Sequence, residues 1–252
     1  MRKSTPETYL GMIKEFMGSI NKAIPMFVLA GGFGTRLRTV VSDVPKPLAP
    51  VGSKPFLFYL IRNWIEQGVR EFIFLLHYEA DQIISYLDNS EFKLLITDLK
   101  ISYIVEPEPL GTGGAVKYAL EQCNVDGEFL VTNADTWLST GIQLLMDSPA
   151  PSIATVVVPD VSRYGEVQVK EGLIESFSEK RDSCEEGHIS AGMYLLCGDP
   201  FFQCDEAKFS IETVILPKLI SIQKLRAVSL ECDFIDIGIP EDYQSFCKSV
   251  RS

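Results

Sequence analysis

Histidine is scarce in this chain: only His77 and His188 among 252 residues. The six cysteines (Cys123, Cys184, Cys197, Cys204, Cys232 and Cys247) are scattered, with no Cys-x-x-Cys pair. That supply suits neither a zinc site nor a dense disulfide framework. It reads as free thiols, several of them in the core, in a reducing cytoplasm. Cys184 and His188 stand four apart, but their stretch (RDSCEEGH) is polar and acidic and does not suit a nucleophilic pair. Basic residues are outnumbered, with 23 Lys plus Arg against 34 Asp plus Glu and a net charge of −11. Nucleic acid and anionic membranes attract basic surfaces, so neither is an expected partner. No apolar run approaches the ~20 residues of a bilayer span. Met1–Asn21 lacks the apolar stretch and cleavage site of a secretory signal. No internal repeat or low-complexity tract interrupts the chain, and no hexapeptide β-helix pattern follows.

What is present is an ordinary globular composition, 46% hydrophobic and 23% charged, which supports a real core. Pro25–Ala30 is a short apolar run ending at glycines and reads as a buried strand. A helix is expected over Lys54–Gln67, stopped by Gly68, followed by a strand at Glu71–His77 and a short helix at Asp81–Leu87. Lys100–Val105, Thr112–Gln122 and Glu128–Thr132 continue as strand, helix and strand. Alternation of this kind implies parallel pairing with right-handed crossovers. The second half changes: Ser152–Val158, Glu166–Val169, Leu173–Ser178 and Ile189–Leu196 are closely spaced strands. Ile211–Ile220 reads as a helix with Pro217 as a kink or end, before strands at Ala227–Leu230 and Phe234–Ile237. No long linker separates the halves, so residues 25–252 read as one α/β domain on a shared sheet. Residues 1–24 stand apart as an N-terminal helical extension, with apolar residues from Tyr9 to Ile20 near helical spacing. Such a helix packs on the domain or on a neighbouring subunit of a homo-oligomer.

Four motifs carry chemistry. Leu29-Ala30-Gly31-Gly32-Phe33-Gly34-Thr35-Arg36-Leu37 follows the first strand. Its glycines let successive N–H groups form an anion-binding nest, and Arg36 adds a permanent cation. Alone, it reads equally well as a plain turn. It is neither a Walker loop nor the dinucleotide fingerprint, since Leu37 stands where that pattern wants Gly or Ala. Next, prolines stiffen both sides of Lys46 in Pro45-Lys46-Pro47-Leu48, which suits a fixed phosphate contact or a solvated surface turn. Then Glu106-Pro107-Glu108-Pro109-Leu110-Gly111-Thr112-Gly113-Gly114-Ala115 joins a strand to a helix. Bare backbone at that helix start can face a base or a phosphate, or merely begin the helix. Finally, Asp135 ends an apolar strand and Asp236 lies in Phe234-Ile235-Asp236-Ile237-Gly238. A carboxylate among apolar neighbours needs a partner, and hard oxygen ligands at strand ends suit Mg²⁺ as well as a salt bridge. His77 is expected to have a structural role at a strand end.

Together these residues resemble the sugar-1-phosphate nucleotidyltransferase family, whose signature is LAGGxGTRL followed by PKPL. The resemblance spans residues 24–248 and implies a Rossmann-like, mostly parallel mixed sheet flanked by helices. Within the family, PKPLAPV, Lys54-Pro55-Phe56, PLGTGGA and FIDIGIPEDY are most similar to members that join GTP to a heptose 1-phosphate, with the mannose 1-phosphate members close behind. The resemblance implies GTP and a sugar 1-phosphate as substrates and Mg²⁺ as cofactor. By the same resemblance, Gly31–Gly34 and Arg36 hold the triphosphate, Lys46 touches phosphate, and Gly113-Gly114 lies against the base. It further implies that Asp135 and Asp236 hold the metal, Lys180 meets the sugar phosphate, and Glu179, Gly165, Ser190 and Gly192 shape the sugar pocket. Glu106, or the loop backbone around Gly111, is the expected acceptor for the guanine edge. Two departures stand out: Ala134 replaces the family's Gly, and Ser190 replaces its Asn. A catalytically silent nucleotide-sugar sensor on the same fold, and a Rossmann oxidoreductase, are the competing readings.

Overall fold

The computed structural model of the protein describes residues 24–37, 40–41, 43–89, 99–178 and 185–250. Residues 1–23 of the expected N-terminal extension lie outside them, as do Glu179, Lys180 and Cys184. In chain order, β1 (Met26–Leu29) leads through the glycine loop to a 3₁₀ turn at Lys46–Leu48. There follow the small ladder of β2 (Pro50–Val51) and β3 (Lys54–Pro55), then α1 (Phe56–Glu66), β4 (Glu71–Leu76), α2 (Ala80–Leu87) and β5 (Lys100–Val105). Next come α3 (Gly111–Gln122), β6 (Glu128–Asn133), β7 (Thr136–Leu138), α4 (Ile142–Met146) and β8 (Ser152–Val158). The second half holds β9 (Glu166–Lys170), β10 (Leu173–Ser178), β11 (Gly187–Cys197), α5 (Asp199–Phe202) and a π-helical turn at Ile211–Ile215. It closes with α6 (Leu216–Ser221), β12 (Arg226–Leu230), β13 (Phe234–Asp236) and α7 (Pro240–Ser249).

Among the described residues, nine strands form one sheet in the order β5-β4-β1-β6-β11-β8-β12-β10-β9. The first four are parallel, and β11 runs antiparallel to both β6 and β8. The sheet is therefore mixed but mostly parallel in its first half, as the alternation implied. Side chains alternate across a strand with period two. Met26 and Val28 accordingly enter one core cluster with Phe56, Leu57, Leu60 and Trp64 of α1, while Phe27 enters the other with Val116, Ala119 and Leu120 of α3. Helices thus cover both faces, which is why β1 reads as a continuous apolar run rather than an alternating one.

From β1 the chain goes to β4 and β5 on one side, then returns to β6 on the other. Such a reversal of strand order opens a crevice at the carboxyl ends of the strands, where open α/β sheets bind ligands. The glycine loop leaves β1 at that crevice, and Asn133-Ala134-Asp135 ends β6 there. Both ends are locked into the sheet: Ala30 N–H donates to Leu75 O at 3.0 Å, and Ala134 N–H donates to Leu29 O at 3.0 Å.

Three local expectations are corrected. The helix expected from Lys54 begins at Phe56, because Lys54 and Pro55 pair with Val51 and Pro50; it stops as expected at Gly68, whose φ is +99°. Pro217 neither ends nor kinks a single helix over 211–220. It sits in the first turn of α6, after the π turn, where a residue without an N–H loses nothing. The five described cysteines are free thiols, but Cys204 alone among them is fully buried.

Candidate active site

Two adjoining cavities open at the crevice, of about 200 and 280 Å³, and both are walled by Leu29, Gly32 and Asp135. The first is the more polar in character. Ala30, Gly34, Thr35 and Arg36 of the glycine loop line it, opposite Lys46, Ala134 and Gly238. Gly34 takes φ +60°, and a Cβ there would stand 3.1 Å from Lys46 Cβ. A left-handed glycine is thus what lets the loop lie directly on the lysine. Ala134, the departure from the family's Gly, is buried and packs its methyl into the core.

Lys46 is held by a single 3₁₀ turn, with Leu48 N–H donating to Pro45 O at 2.8 Å. Its ammonium lies 2.5 Å from Asp135 Oδ2 and 3.7 Å from Asp236 Oδ1. One cation is therefore shared by the two carboxylates that the sequence marks as needing a partner. Asp236 reaches the site because β13 pairs with β7, placing Asp236 opposite Thr136, next to Asp135. Ile237 N–H also donates to Asp135 O at 3.0 Å. From behind, Phe246 of α7 packs on Phe56 at 4.7 Å and on Trp137 at 5.2 Å between ring centroids. Burial, followed by the charge of Asp135, raises the Asp236 carboxyl above its ordinary range; Lys46, the Gly238 N–H and Arg36 pull the other way. Two carboxylates side by side, with Asp236 raised in this way, call for positive charge. Among the described residues there is no cluster of three or more potential metal ligands. Two carboxylates nevertheless fit Mg²⁺, which commonly takes one or two and completes its shell with water and phosphate oxygens.

The second cavity is lined by Gly31, Phe33, His77, Glu106, Pro109, Gly111, Thr112 and Asn133. Glu106 is buried, and its Oε2 accepts the Leu110 N–H at 2.9 Å. Burial raises its carboxyl above the ordinary range, against the lowering pull of that bond and of His77. His77 Nδ1 lies 3.2 Å from the Glu106 carbonyl oxygen; a carbonyl only accepts, so Nδ1 donates. His77 does sit at a strand end as expected, yet its ring also walls this cavity. Phe33 packs near it, 6.2 Å between centroids. The sequence reading missed the cavity role of His77, Phe33 and Thr112; the carboxyl end of β4 was the available signal.

Gly113 and Gly114 were expected against the base; both are buried, and neither lines either of these two cavities. Their N–H groups donate to Phe209 O at 2.9 and 3.1 Å, so the start of α3 is capped by protein. A Cβ at Gly113 would stand 2.3 Å from the Phe209 ring, and one at Gly114 2.3 Å from Ala207 O. These glycines admit the 207–209 segment behind the cavity wall. Gly114→Ala is expected to destabilise the fold by about 2–3 kcal/mol, roughly 5–10 °C in melting temperature, because a backbone carbonyl cannot rotate away. Gly32→Ala, which meets nothing within 4 Å, is the control expected to melt like wild type.

Of the residues expected around the sugar, Gly192 takes φ +66° on β11, and a Cβ there would stand 2.9 Å from Asn133 Nδ2. Ser190 Oγ accepts the Gly192 N–H at 3.2 Å. Gly165 lies further out, where a Cβ would stand 3.1 Å from Ser178 O. The structure thus brings together Leu29–Gly32, Gly34–Arg36, Lys46, Glu106, Gly111, Asp135 and Asp236, with Gly192 at their border.

Residues 26–249 match the family described as nucleotidyl transferase. The chain is 39% identical over 223 residues to a D-glycero-alpha-D-manno-heptose 1-phosphate guanylyltransferase of Campylobacter jejuni, covering 87% of this chain and 96% of that relative. It is 33% identical over 226 residues to mannose-1-phosphate guanylyltransferase 1 of Arabidopsis thaliana, covering 86% of this chain and 62% of the plant protein. The crystal structure of HddC from Yersinia pseudotuberculosis complexed with GMP-PN superposes with a TM-score of 0.78 at 36% identity, covering 90% of this chain and 99% of that one.

Proposed function

The chain belongs to the nucleotidyl transferase family, and from that premise we propose that it joins GTP to D-glycero-α-D-manno-heptose 1-phosphate, giving GDP-heptose and pyrophosphate. The observation that carries this reading is the Asp135–Lys46–Asp236 cluster at the junction of two cavities, one beside the glycine loop and Arg36, the other beside Glu106. The likeness to the heptose guanylyltransferase over nearly its whole length supports the sugar. The likeness to the mannose 1-phosphate enzyme keeps mannose 1-phosphate as the second candidate.

In the proposed reaction an oxygen of the sugar phosphate attacks the α-phosphorus of GTP, and the bond from that phosphorus to the β-phosphate oxygen breaks. The second pKa of a phosphate monoester is about 6, so the nucleophile is already largely dianionic near neutral pH. No side chain has to remove a proton, which agrees with the two histidines. The barrier is repulsion between two polyanions, and the chain's task is to offset and align it. The nest of Gly31–Gly34 N–H groups and Arg36 binds the triphosphate. Lys46 serves as a fixed cation between carboxylates and phosphates. Asp135 and Asp236 would hold Mg²⁺, whose contribution when bound is charge neutralisation at the transferring phosphoryl group. Lys180 completes the cations on the sugar-phosphate side, with Glu179, Gly165, Ser190 and Gly192 around the sugar. Catalysis rather than sensing is favoured because Lys46, Asp135 and Asp236 are all present and in contact.

Glu106 is the acceptor for guanine N1–H and its exocyclic amine. A carboxylate has about four lone-pair sites, and Leu110 takes one. Glu106→Gln replaces an acceptor by a donor and is expected to raise KM for GTP about 10–100-fold, as for loss of a hydrogen bond to a charged group, with UTP use little affected. Pyrophosphate release with GTP, UTP, CTP and dTTP against a panel of sugar 1-phosphates tests the reading. GTP with the heptose 1-phosphate should lead; a UTP preference would refute the guanine assignment.

A further inference from the structure

We infer that Glu212 is a positioning residue that ties the base-side wall to the sugar-side strand, setting Thr112 on one side and Tyr194 of β11 on the other; this rests on the guanylyltransferase reading above. Glu212 lies in the π turn at Ile211–Ile215, outside both cavities and outside the signature motifs. The residue is exposed, yet its carboxylate receives three hydroxyl groups from three parts of the chain. Thr112 Oγ1 donates to Oε2 at 2.8 Å, Ser210 Oγ donates to Oε2 at 2.6 Å, and Tyr194 Oη donates to Oε1 at 3.3 Å.

Each branch leads to a substrate wall. Thr112 lines the 280 Å³ cavity and opens α3; its Oγ1 also accepts the Ile211 N–H at 2.9 Å. Tyr194 is buried on β11, two residues beyond Gly192. On the same strand Ser190 Oγ accepts the Gly192 N–H, and Gly192 abuts Asn133 beside Asp135. Three hydroxyls therefore point towards Glu212, that of Tyr194 from β11 and those of Thr112 and Ser210 from the base side. A carboxylate has no proton to give, so it fixes the direction of each hydroxyl bonded to it. Helix capping alone does not account for it, since Ser210 Oγ already accepts the Thr213 N–H at 3.3 Å.

Steady-state kinetics with both substrates varied test this in the full chain. Glu212→Ala is expected to raise KM for GTP and for the sugar 1-phosphate, each about five-fold or more, with kcat within about two-fold. The branches should separate: Thr112→Val raises KM for GTP alone, and Tyr194→Phe raises KM for the sugar 1-phosphate alone. Glu212→Gln, which keeps one acceptor oxygen, should recover part of the loss. Unchanged KM values in Glu212→Ala, or a fall confined to kcat, would overturn the inference. Should wild type itself fail to turn over GTP, the guanylyltransferase reading falls. Amide hydrogen exchange then decides the network, since Glu212→Ala should speed exchange in both residues 111–115 and 190–194, and unchanged exchange would overturn it.

Discussion

Asp135→Ala is expected to lower kcat about 10³-fold while moving the melting temperature by only a few degrees. The rate loss follows from position. Asp135 walls both cavities, it is the 2.5 Å partner of Lys46, and with Asp236 it is the proposed holder of a divalent cation. Removing it takes away a proposed metal ligand and the carboxylate that pairs with the lysine. Loss of one preorganised electrostatic contact in a water-poor site commonly costs 10²–10³ in rate, and the metal raises the stake. The small stability change follows from opposing effects. The ion pair to Lys46 is lost, but Asp236 no longer faces a second carboxylate, whose charge is one cause of its raised pKa. Turnover by stopped pyrophosphate assay and melting by calorimetry decide it; a variant within ten-fold of wild-type turnover would show that Asp135 is not at the reacting phosphates.

Lys46→Met reverses the balance and is expected to lose both activity and stability. With the ammonium gone, Asp135 and Asp236 face each other without the cation they share. Breaking a fully buried pair costs about 3–5 kcal/mol. Here the carboxylate side chains keep 32% and 29% exposure, so a smaller loss of about 2 kcal/mol is expected, roughly 4–8 °C in a chain of this size. The loss should depend on pH. The Asp236 pKa is already raised above 3.8 in the folded protein, and Lys46 is one of the groups holding it down. A group with a raised folded pKa favours folding below its unfolded pKa, and that contribution is lost as pH rises through the folded value. Without Lys46 the folded value rises further, so the variant's deficit should be larger at about pH 7.5 and shrink towards about pH 5. A deficit independent of pH would mean that the lysine does not balance these carboxylates.

Much of the sheet was legible because its strands are buried on both faces and therefore write apolar runs bounded by glycine. Phe27 and Val28 feed opposite cores, so no polar residue interrupts β1. The glycine loop and the Pro45–Leu48 turn were legible because their chemistry is local, within a few residues. What escaped were contacts that close over distance. An aspartate at a strand end demands a partner, but nothing near Asp135 says that the partner is Lys46, 89 residues earlier. Gly113 and Gly114 look like a bare ligand-facing backbone until Phe209, nearly a hundred residues on, caps their N–H groups. Glu212 stood in an ordinary helical stretch, and its three hydroxyl partners come from Thr112, Tyr194 and Ser210. The missed helix α7 buries chiefly Phe246, so its apolar periodicity was thin, although Pro240, Glu241 and Asp242 are the usual opening of a helix.

The most direct test is a crystal of the protein with GDP-heptose and Mn²⁺, read by anomalous diffraction. The account predicts a manganese peak between the carboxylates of Asp135 and Asp236, with the diphosphate of the product within reach of Lys46 and Arg36. A metal peak elsewhere, or a diphosphate seated away from this cluster, would contradict it.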